Sequence, residues 1–256
     1  MAHKFFRMKT DFLVLSFFFL LCSCGSNNIL PKALEVNEES IDKYIEEKLD
    51  TSQTYEIVTG LRFSKENETY ASEQFSQKDT VILCTEEIVT EKGVLLRNFF
   101  YKDDQPVYIE EYETISSFSG DLYRQRKIYL NGAIILKAYE KSAGTEDELI
   151  KLPFKEITMT MNQFDFQRPK DAALQEGDYE MKFGEFLVFD LQSFLVLDNE
   201  ESGYSVALYI LKGDELVDKL YANPDAYQSK TIHPYHDFMV IGGLDRVVYT
   251  GGYMVE

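Results

Sequence analysis

Three residues near the C-terminus have the types and spacing of a small metal site: His233, His236 and Asp237. Two imidazole rings and a carboxylate are ligands that zinc and copper accept. In an extended segment, however, a spacing of three residues directs the two rings to opposite faces, and Pro234 favours a turn. We therefore expect loop histidines with ordinary hydrogen bonds, keep a metal site as the alternative, and predict no cofactor.

Oxygen ligands for calcium are offered by residues 198–203, whose sequence is Asp-Asn-Glu-Glu-Ser-Gly. The segment lacks the alternating ligand positions of an EF-hand loop, so a solvated hairpin turn is expected. The chain has no glycine-rich phosphate loop, no Gly-x-Ser-x-Gly, no His-Glu-x-x-His and no zinc-type cysteine pairs. Because acidic residues number 44, carboxylate pairs arise by chance and do not indicate hydrolysis. The sequence therefore predicts that the protein is not an enzyme.

The first 26 residues carry the most specific pattern in the chain. Basic residues precede an apolar run at 12–21, which is short for a membrane-spanning helix. Leu21 stands three residues before Cys24, the small residue Ser23 directly precedes that cysteine, and a polar stretch follows it. This pattern resembles the lipobox of bacterial lipoproteins, in which the cysteine is diacylated and the peptide before it is removed.

The resemblance implies a signal peptide at 1–23 and a tether at 24–37, with Cys24 carrying the lipid that holds the protein to a membrane. Cys22 matches less well, because Leu21 would occupy the position where a small residue is expected. An ordinary secretory signal peptide with two incidental cysteines is the alternative.

The same resemblance implies a location in the cell envelope. An acidic residue in the second position resembles a mark for inner-membrane retention, and a charged cluster there resembles a mark for surface export. Neither follows Cys24. An outer-membrane lipoprotein that faces the periplasm is therefore expected, with exposure at the cell surface as the alternative.

Net charge narrows the choice of partners. The chain has 26 basic and 44 acidic residues, a formal charge of −18, which argues against nucleic-acid binding because phosphate contacts need a cationic surface. Loss of residues 1–23 would remove three basic residues and one acidic residue and leave −20. Such an excess opposes compaction by self-repulsion, which suggests, as a hypothesis, a cationic partner or a setting rich in divalent ions beside lipid headgroups. An acidic bias common to the envelope proteins of the source organism is the favoured interpretation.

The elements that position these residues are predicted to be mainly β, in a β-rich α+β arrangement. A short amphipathic helix is predicted at 38–50, where apolar residues recur at helical spacing with carboxylates between them. From residue 54 onward, segments rich in Val, Ile, Phe and Tyr alternate with turn residues and predict strands. In the first half the strand candidates are 88–101, 107–112, 122–130 and 133–139.

Two of these segments form an internal repeat. Arg97 begins the segment Arg-Asn-Phe-Phe-Tyr and Arg126 begins Arg-Lys-Ile-Tyr-Leu, and each is followed by a turn and another strand. Asn131-Gly132 predicts a type I′ turn, since both central residues need positive φ, while 103–106 predicts a longer turn. Two successive hairpins make a meander. Residues 38–150 are therefore predicted to form an antiparallel sheet domain with a helix.

A second, β-sandwich-like domain is predicted at 151–256. Thr145 and Glu148 form a capping box for a helical turn that Pro153 ends, which places the boundary near residue 150. Short strand candidates then recur about every 8 to 12 residues, as in a sandwich or an open barrel. The candidates are 156–161, 179–183, 186–189, 194–197, 205–211, 216–221, 238–241 and 247–249, with a hairpin turn at 212–214.

These features together predict a lipid-anchored cell-envelope protein without catalytic activity that acts through protein contacts. An immunity or inhibitor lipoprotein directed against a cationic envelope enzyme is one alternative, because an anionic surface suits such a partner. A glycan-binding lipoprotein is a second, and a periplasmic hydrolase that uses scattered carboxylates is a less favoured third.

The assignment of Cys24 is tested by expressing Cys24→Ser and Cys22→Ser variants and fractionating the cells. The first substitution should release the protein from membranes, because it removes the acylated atom, whereas the second should leave it membrane-bound. Mass spectrometry of the mature N-terminus checks the modification. An unmodified Cys24 in the mature protein would contradict the lipobox assignment.

Overall fold

The computed structural model describes residues 37–118, 120–190 and 192–255. Its helices are α1 (Glu38–Asp50), α2 (Glu146–Lys151), α3 (Arg168–Leu174), α4 (Glu215–Ala222) and α5 (Pro224–Tyr227). Its strands are β1 (Glu56–Thr59), β2 (Phe63–Lys65), β3 (Glu68–Gln77), β4 (Thr80–Thr90), β5 (Gly93–Lys102), β6 (Gln105–Ile115), β7 (Leu122–Asn131), β8 (Ile134–Ala143), β9 (Lys155–Ile157), β10 (Lys182–Phe189), β11 (Gln192–Asn199), β12 (Tyr204–Ile210), β13 (Ile232–Ile241) and β14 (Leu244–Met254). The predicted mainly β, sandwich-like fold with a short N-terminal helix is confirmed.

Helix α1 occupies the predicted residues. Asn37 caps it: the Asn37 side chain accepts a hydrogen bond from the Ser40 amide, and the Ser40 hydroxyl accepts one from the Asn37 amide. Ile41 and Ile45 are buried against the sheet, so packing adds to the local capping signal. In the described part of the chain, no helix combines the length and apolar character needed to cross a membrane.

All strands in the described residues join one sheet. Its main path runs β10-β11-β12-β2-β3-β4-β5-β6-β7-β8-β9, with β1 beside β3 and the β13–β14 hairpin beside β12. Neighbours from β2 to β9 pair antiparallel in chain order, which is the predicted meander. The contact between β12 and β14 is parallel.

The segments 38–150 and 151–256 contribute strands to the same sheet, because Ser64 of β2 pairs with Ser205 of β12. The described residues form one compact unit. Thr145 caps α2 at the predicted boundary. Independent folding of the two segments stays a prediction.

Tight turns in the meander depend on residues with positive φ. Asp103 and Asp104 have φ of 51° and 59°, so the two-residue geometry of a type I′ turn occurs between β5 and β6, where the sequence predicts a longer turn. The predicted centre of the β7–β8 turn is wrong by one residue. Asn131 still pairs within β7, so Gly132 and Ala133 are central, and of these only Gly132 has positive φ.

The predicted strand 88–101 is in fact two strands. β4 ends at Thr90 and β5 begins at Gly93, with a two-residue turn at 91–92 that lacks typical turn residues. Gly93 has φ of 142°, and a Cβ atom there would lie 1.7 Å from the carbonyl oxygen of Thr114. Only glycine permits this close approach between β5 and β6.

The predicted strand at 216–221 is wrong, because these residues form α4. The predicted hairpin turn at 212–214 instead leads into the helix, and the Asp214 carboxylate accepts a hydrogen bond from the Val217 amide at 3.0 Å. Val217 and Leu220 are buried about one helical turn apart. The cap and this spacing override the β-branched and aromatic content that favours a strand.

Each face of the meander has an element packed against part of it. On one face, α1 packs Ile41 and Ile45 against Phe100 and neighbouring tyrosines of β6 and β7. Residues 158–181 pack on the other face and are termed the covering segment. This segment buries apolar side chains of β4 to β8: Cys84, Phe99, Ile109, Ile128 and Ala138. A further cluster joins β2 and β3 to α3, α4 and the C-terminal strands.

A row of alternating charges crosses the sheet from β4 to β8, beneath the covering segment. Each member is the cross-strand neighbour of the next: Glu86, Arg97, Glu111, Arg126 and Glu140, here termed the charge row. The Arg97 guanidinium hydrogen-bonds both Glu86 and Glu111. The Arg126 guanidinium donates to Glu111 at 3.1 Å and to Glu140 at 2.9 Å. The row is therefore a continuous chain of charge-assisted hydrogen bonds.

Glu86 is the most buried member of the charge row, with no exposed side-chain surface. Arg168, the first residue of α3, contacts the Glu86 carboxylate at 2.8 Å, and the Tyr70 hydroxyl donates to it at 3.0 Å. A buried carboxylate is tolerated when it is paired and its lone pairs are satisfied. Glu86 therefore binds the covering segment to the sheet.

Replacement of this carboxylate should be costly. Glu86→Gln should lower the free energy of unfolding by about 3 to 5 kcal/mol, because two guanidinium groups lose their shared counter-charge in a buried site. Lys219→Met, which breaks the exposed pair with Glu215, is the control and should leave the unfolding midpoint unchanged. Urea denaturation measures both variants. Equal midpoints for the two would contradict the role assigned to Glu86.

Candidate functional site

The sheet face opposite the charge row forms the floor of a groove. Side chains alternate along a strand, so Glu87 points to this face when Glu86 points to the other. The groove has a volume of about 610 Å³. Its floor comes from β3 to β7 and includes three polar and three acidic side chains: Thr85, Asn98, Gln125, Glu73, Glu87 and Glu110.

Two of the three carboxylates have uncharged partners. Glu73 accepts a hydrogen bond from the Thr59 hydroxyl at 3.2 Å. Glu110 accepts one from the Gln125 amide at 3.1 Å. These bonds orient the carboxylates on the groove floor and leave their negative charges uncompensated.

Cations near the groove are few. Arg62 approaches the Glu87 carboxylate at 3.8 Å, and both side chains are more than two-fifths exposed, so this pair is weak. Lys127 is the cross-strand neighbour of Glu110, but its ammonium lies 5.1 Å from the ring centre of Phe154. Among the described residues that line the groove, Arg62 is the one cation facing three carboxylates.

Apolar surface lies beside these charges. Leu96 is 43% exposed on the floor, next to its cross-strand neighbour Tyr112. The Tyr112 hydroxyl donates to Glu146 of α2 at 3.0 Å, which fixes the ring position. The groove can therefore contact both the charged end and the carbon stem of a long basic side chain.

One rim of the groove lies at the break between β1 and β2, at residues 60–62. The Phe238 ring of β13 lies 5.7 Å from the Arg62 guanidinium, a cation–π contact. Nε2 of His236 lies 3.1 Å from the Gly60 carbonyl oxygen, and this hydrogen bond links β13 to the break between β1 and β2. A Cβ atom at Gly60 would lie 2.7 Å from the Ala172 carbonyl oxygen, so glycine lets α3 pack against the same point.

His236 is half-buried at this rim. Burial lowers the pKa of the His236 imidazole below its usual value, while the hydrogen bond to Gly60 and the charge of Asp237 oppose that change. The neutral ring also packs edge-on against Phe238 at 5.4 Å. His236 therefore acts here as a structural hydrogen-bonding group.

The three predicted metal candidates do not form a metal site. His233 stacks on Tyr253 with ring centres 5.3 Å apart, while His236 bonds to Gly60. The described residues contain no group of three or more His, Cys, Asp or Glu side chains placed to hold a metal ion. The expectation that the histidines and Asp237 lie in a loop is wrong, because all three belong to β13, which pairs with β14 throughout.

The candidate calcium turn at 198–203 is organised around Asn199. This side chain is 8% exposed and donates to the carbonyl oxygens of Asp178 and Glu180 at 3.3 and 3.1 Å. Its oxygen accepts hydrogen bonds from the amides at 201–202. The expectation of a solvated turn is therefore wrong at Asn199, which fastens the turn to the covering segment.

Cys84 is fully buried beneath the covering segment, and burial raises the pKa of its thiol to about 12. It is therefore a protonated core residue at neutral pH. Cys24 and the rest of the lipobox pattern lie outside the described residues.

Sequence reasoning missed the groove. Its carboxylates are distributed over β3, β4 and β6, and each looks like an ordinary surface residue in its own strand. The internal repeat held part of the relevant signal, because Arg97 and Arg126 begin its two copies and both belong to the charge row. Since side chains alternate along a strand, the residue that follows each arginine, Asn98 or Lys127, lies on the opposite face.

Comparison of the chain with known protein families, with curated proteins and with solved structures found no match. The site is therefore interpreted from its geometry.

The half-buried imidazole of His236 predicts a pH effect on stability. Because the folded-state pKa of His236 is lowered from the usual 6.5, the unfolded chain takes up a proton that the folded chain resists as the pH falls below that value. His236→Gln keeps an amide donor for Gly60 but does not titrate. Relative to this variant, the wild-type chain should lose unfolding free energy below about pH 6.5, by at most about 1.4 kcal/mol per pH unit. Denaturant titrations from about pH 8 to 5 measure the difference, and a constant difference would refute the prediction.

Proposed function

We propose that this protein is a lipid-anchored component of the cell envelope that binds a cationic protein segment in the groove without catalysing a reaction. The observation that carries the proposal is the lining of the groove, where three carboxylates face one guanidinium. Basic side chains of a partner would supply the missing positive charge.

The distribution of charge over the two sheet faces supports this proposal. In the charge row, arginines alternate with glutamates and compensate them within hydrogen-bonding distance. In the groove, Glu73 and Glu110 are held by neutral groups instead. The carboxylates on the face of the covering segment are therefore paired with arginines, whereas Glu73 and Glu110 on the accessible face have no cationic partner.

The physical consequence is attraction at a distance followed by local contact. Carboxylates in a concave site focus the electric field and accelerate the arrival of a cationic partner. Leu96 and Tyr112 then offer apolar surface to the stems of lysine or arginine side chains. An immunity or inhibitor lipoprotein directed against a cationic envelope enzyme is one protein of this kind.

The proposed location follows from the lipobox resemblance. A lipid on Cys24 would hold the binding domain at the outer membrane, facing the periplasm, through the tether at 24–37. An acylated anchor needs no membrane-spanning helix, because each buried methylene contributes about 0.8 kcal/mol.

Binding is tested with a fluorescein-labelled decalysine peptide and the chain that begins at Ser26, by fluorescence anisotropy. The groove variant carries Glu73→Gln, Glu87→Gln and Glu110→Gln. It should bind about tenfold more weakly, since exposed ion pairs contribute about 0.2 to 1 kcal/mol each and 1.4 kcal/mol changes Kd tenfold. Raising the salt from about 50 to 300 mM should weaken wild-type binding, because exposed charges are screened over about 10 Å at 0.1 M.

The matched control carries Glu39→Gln, Glu46→Gln and Glu47→Gln on the exposed side of α1, which changes the net charge by the same amount. It should bind as the wild-type chain does. An equal loss in both variants would assign the binding to total charge and refute the groove. If decalysine did not bind at the lower salt concentration, the proposal of a cationic partner would be refuted.

A further inference from the structure

The end of the β13–β14 hairpin carries a run of apolar residues. Residues 239–244 have the sequence Met-Val-Ile-Gly-Gly-Leu, six consecutive positions without a polar or charged side chain in a chain that is 27% charged. These residues are termed the apolar tip. Val240 and Leu244 are 72% and 57% exposed, and Met239 is 38% exposed.

The apolar tip projects from the sheet. Hairpin strand β14 contacts β12 at Val248 and Tyr249, whereas the pairs nearer the turn join β13 only to β14. Four such pairs, from Phe238–Val247 outward, extend the hairpin by about 13 Å at about 3.3 Å per residue. Within 4 Å of a Cβ atom built at Gly242 or Gly243 there is no atom beyond the adjacent residues, so the turn has open space around it.

We propose that the apolar tip inserts into the surface of a zwitterionic lipid bilayer. A two-residue turn with three exposed apolar side chains is far smaller than the roughly 800 Å² per partner that a stable protein interface buries. Shallow insertion into a bilayer has no such requirement, because a few apolar side chains suffice for reversible attachment.

Charge selects the kind of lipid. Asp245 is the cross-strand neighbour of Val240, Asp237 lies two residues before the apolar tip, and the chain as a whole is anionic. Arg246 does not offset them at the end of the hairpin, because its guanidinium lies 5.6 Å from the Phe194 ring and 5.9 Å from the Tyr209 ring. Anionic lipid would therefore repel the tip, and a neutral phosphocholine surface fits it best.

This contact goes beyond the proposed function and is independent of the groove and of Cys24. Phe238 belongs to the groove rim through its contact with Arg62, and the apolar tip begins one residue further along. A bilayer contact at the tip would add to a lipid anchor, since stable attachment commonly takes two signals.

The test uses the unlipidated chain from Ser26, which contains the entire compact unit, and vesicles of phosphatidylcholine. The chain has no tryptophan, so Val240→Trp introduces a unique reporter. Its emission should shift to the blue on addition of vesicles and should be quenched by brominated phosphatidylcholine. Val188→Trp, at the exposed end of the β10–β11 hairpin, is the control and should show neither change.

A flotation assay then measures affinity. The double variant Val240→Ser/Leu244→Ser should lower the vesicle-bound fraction about tenfold relative to the wild-type chain, while Val188→Ser/Phe189→Ser should leave it unchanged. Mixing in about one-third phosphatidylglycerol should reduce wild-type binding. Unchanged emission of Val240→Trp, or equal loss in both double variants, would overturn the proposal. Dimerisation that Val240→Ser/Leu244→Ser abolishes would overturn it too, by assigning the tip to a second copy.

Discussion

A carboxylate with no exposed side-chain surface must be neutralised where it lies, and Glu86 imposes that requirement on the centre of the sheet. Arg97 satisfies it from the neighbouring strand and Arg168 satisfies it from the covering segment. Arg97 then needs a second carboxylate, which Glu111 supplies, and the alternation continues across β7 to β8. The register of five strands and the position of α3 therefore depend on one chain of charges.

The pairing of charges in the charge row also decides which residues lie on each face of the sheet. A shift of one residue in any strand would move its charged member to the opposite face, so the charge row fixes which residues line the groove. Glu73, Glu87 and Glu110 face the groove because Glu86 and Glu111 face the covering segment. The uncompensated acidity of the groove is thus a consequence of the same register that buries and compensates the charge row.

Local signals in the sequence predicted much of this fold. The cap of α2, the meander and the N-terminal helix depend on residues close together in the chain. The ion pair that joins the covering segment to the sheet depends on a contact distant in sequence. Glu86 and Arg168 are 82 residues apart, and nothing near either residue indicates the other. α4 was predicted as a strand because its apolar residues fit either structure, and burial of Val217 and Leu220 decides for the helix.

The meander compensates charge on one face and offers uncompensated carboxylates on the other. Mapping decalysine onto the ¹⁵N-labelled chain from Ser26 with amide chemical shifts tests this difference between the faces. We expect saturable shifts confined to β3 to β6 around Glu73, Glu87 and Glu110, with the amides of α1 unchanged. Shifts centred on α1, or spread evenly over the acidic surface, would contradict this expectation.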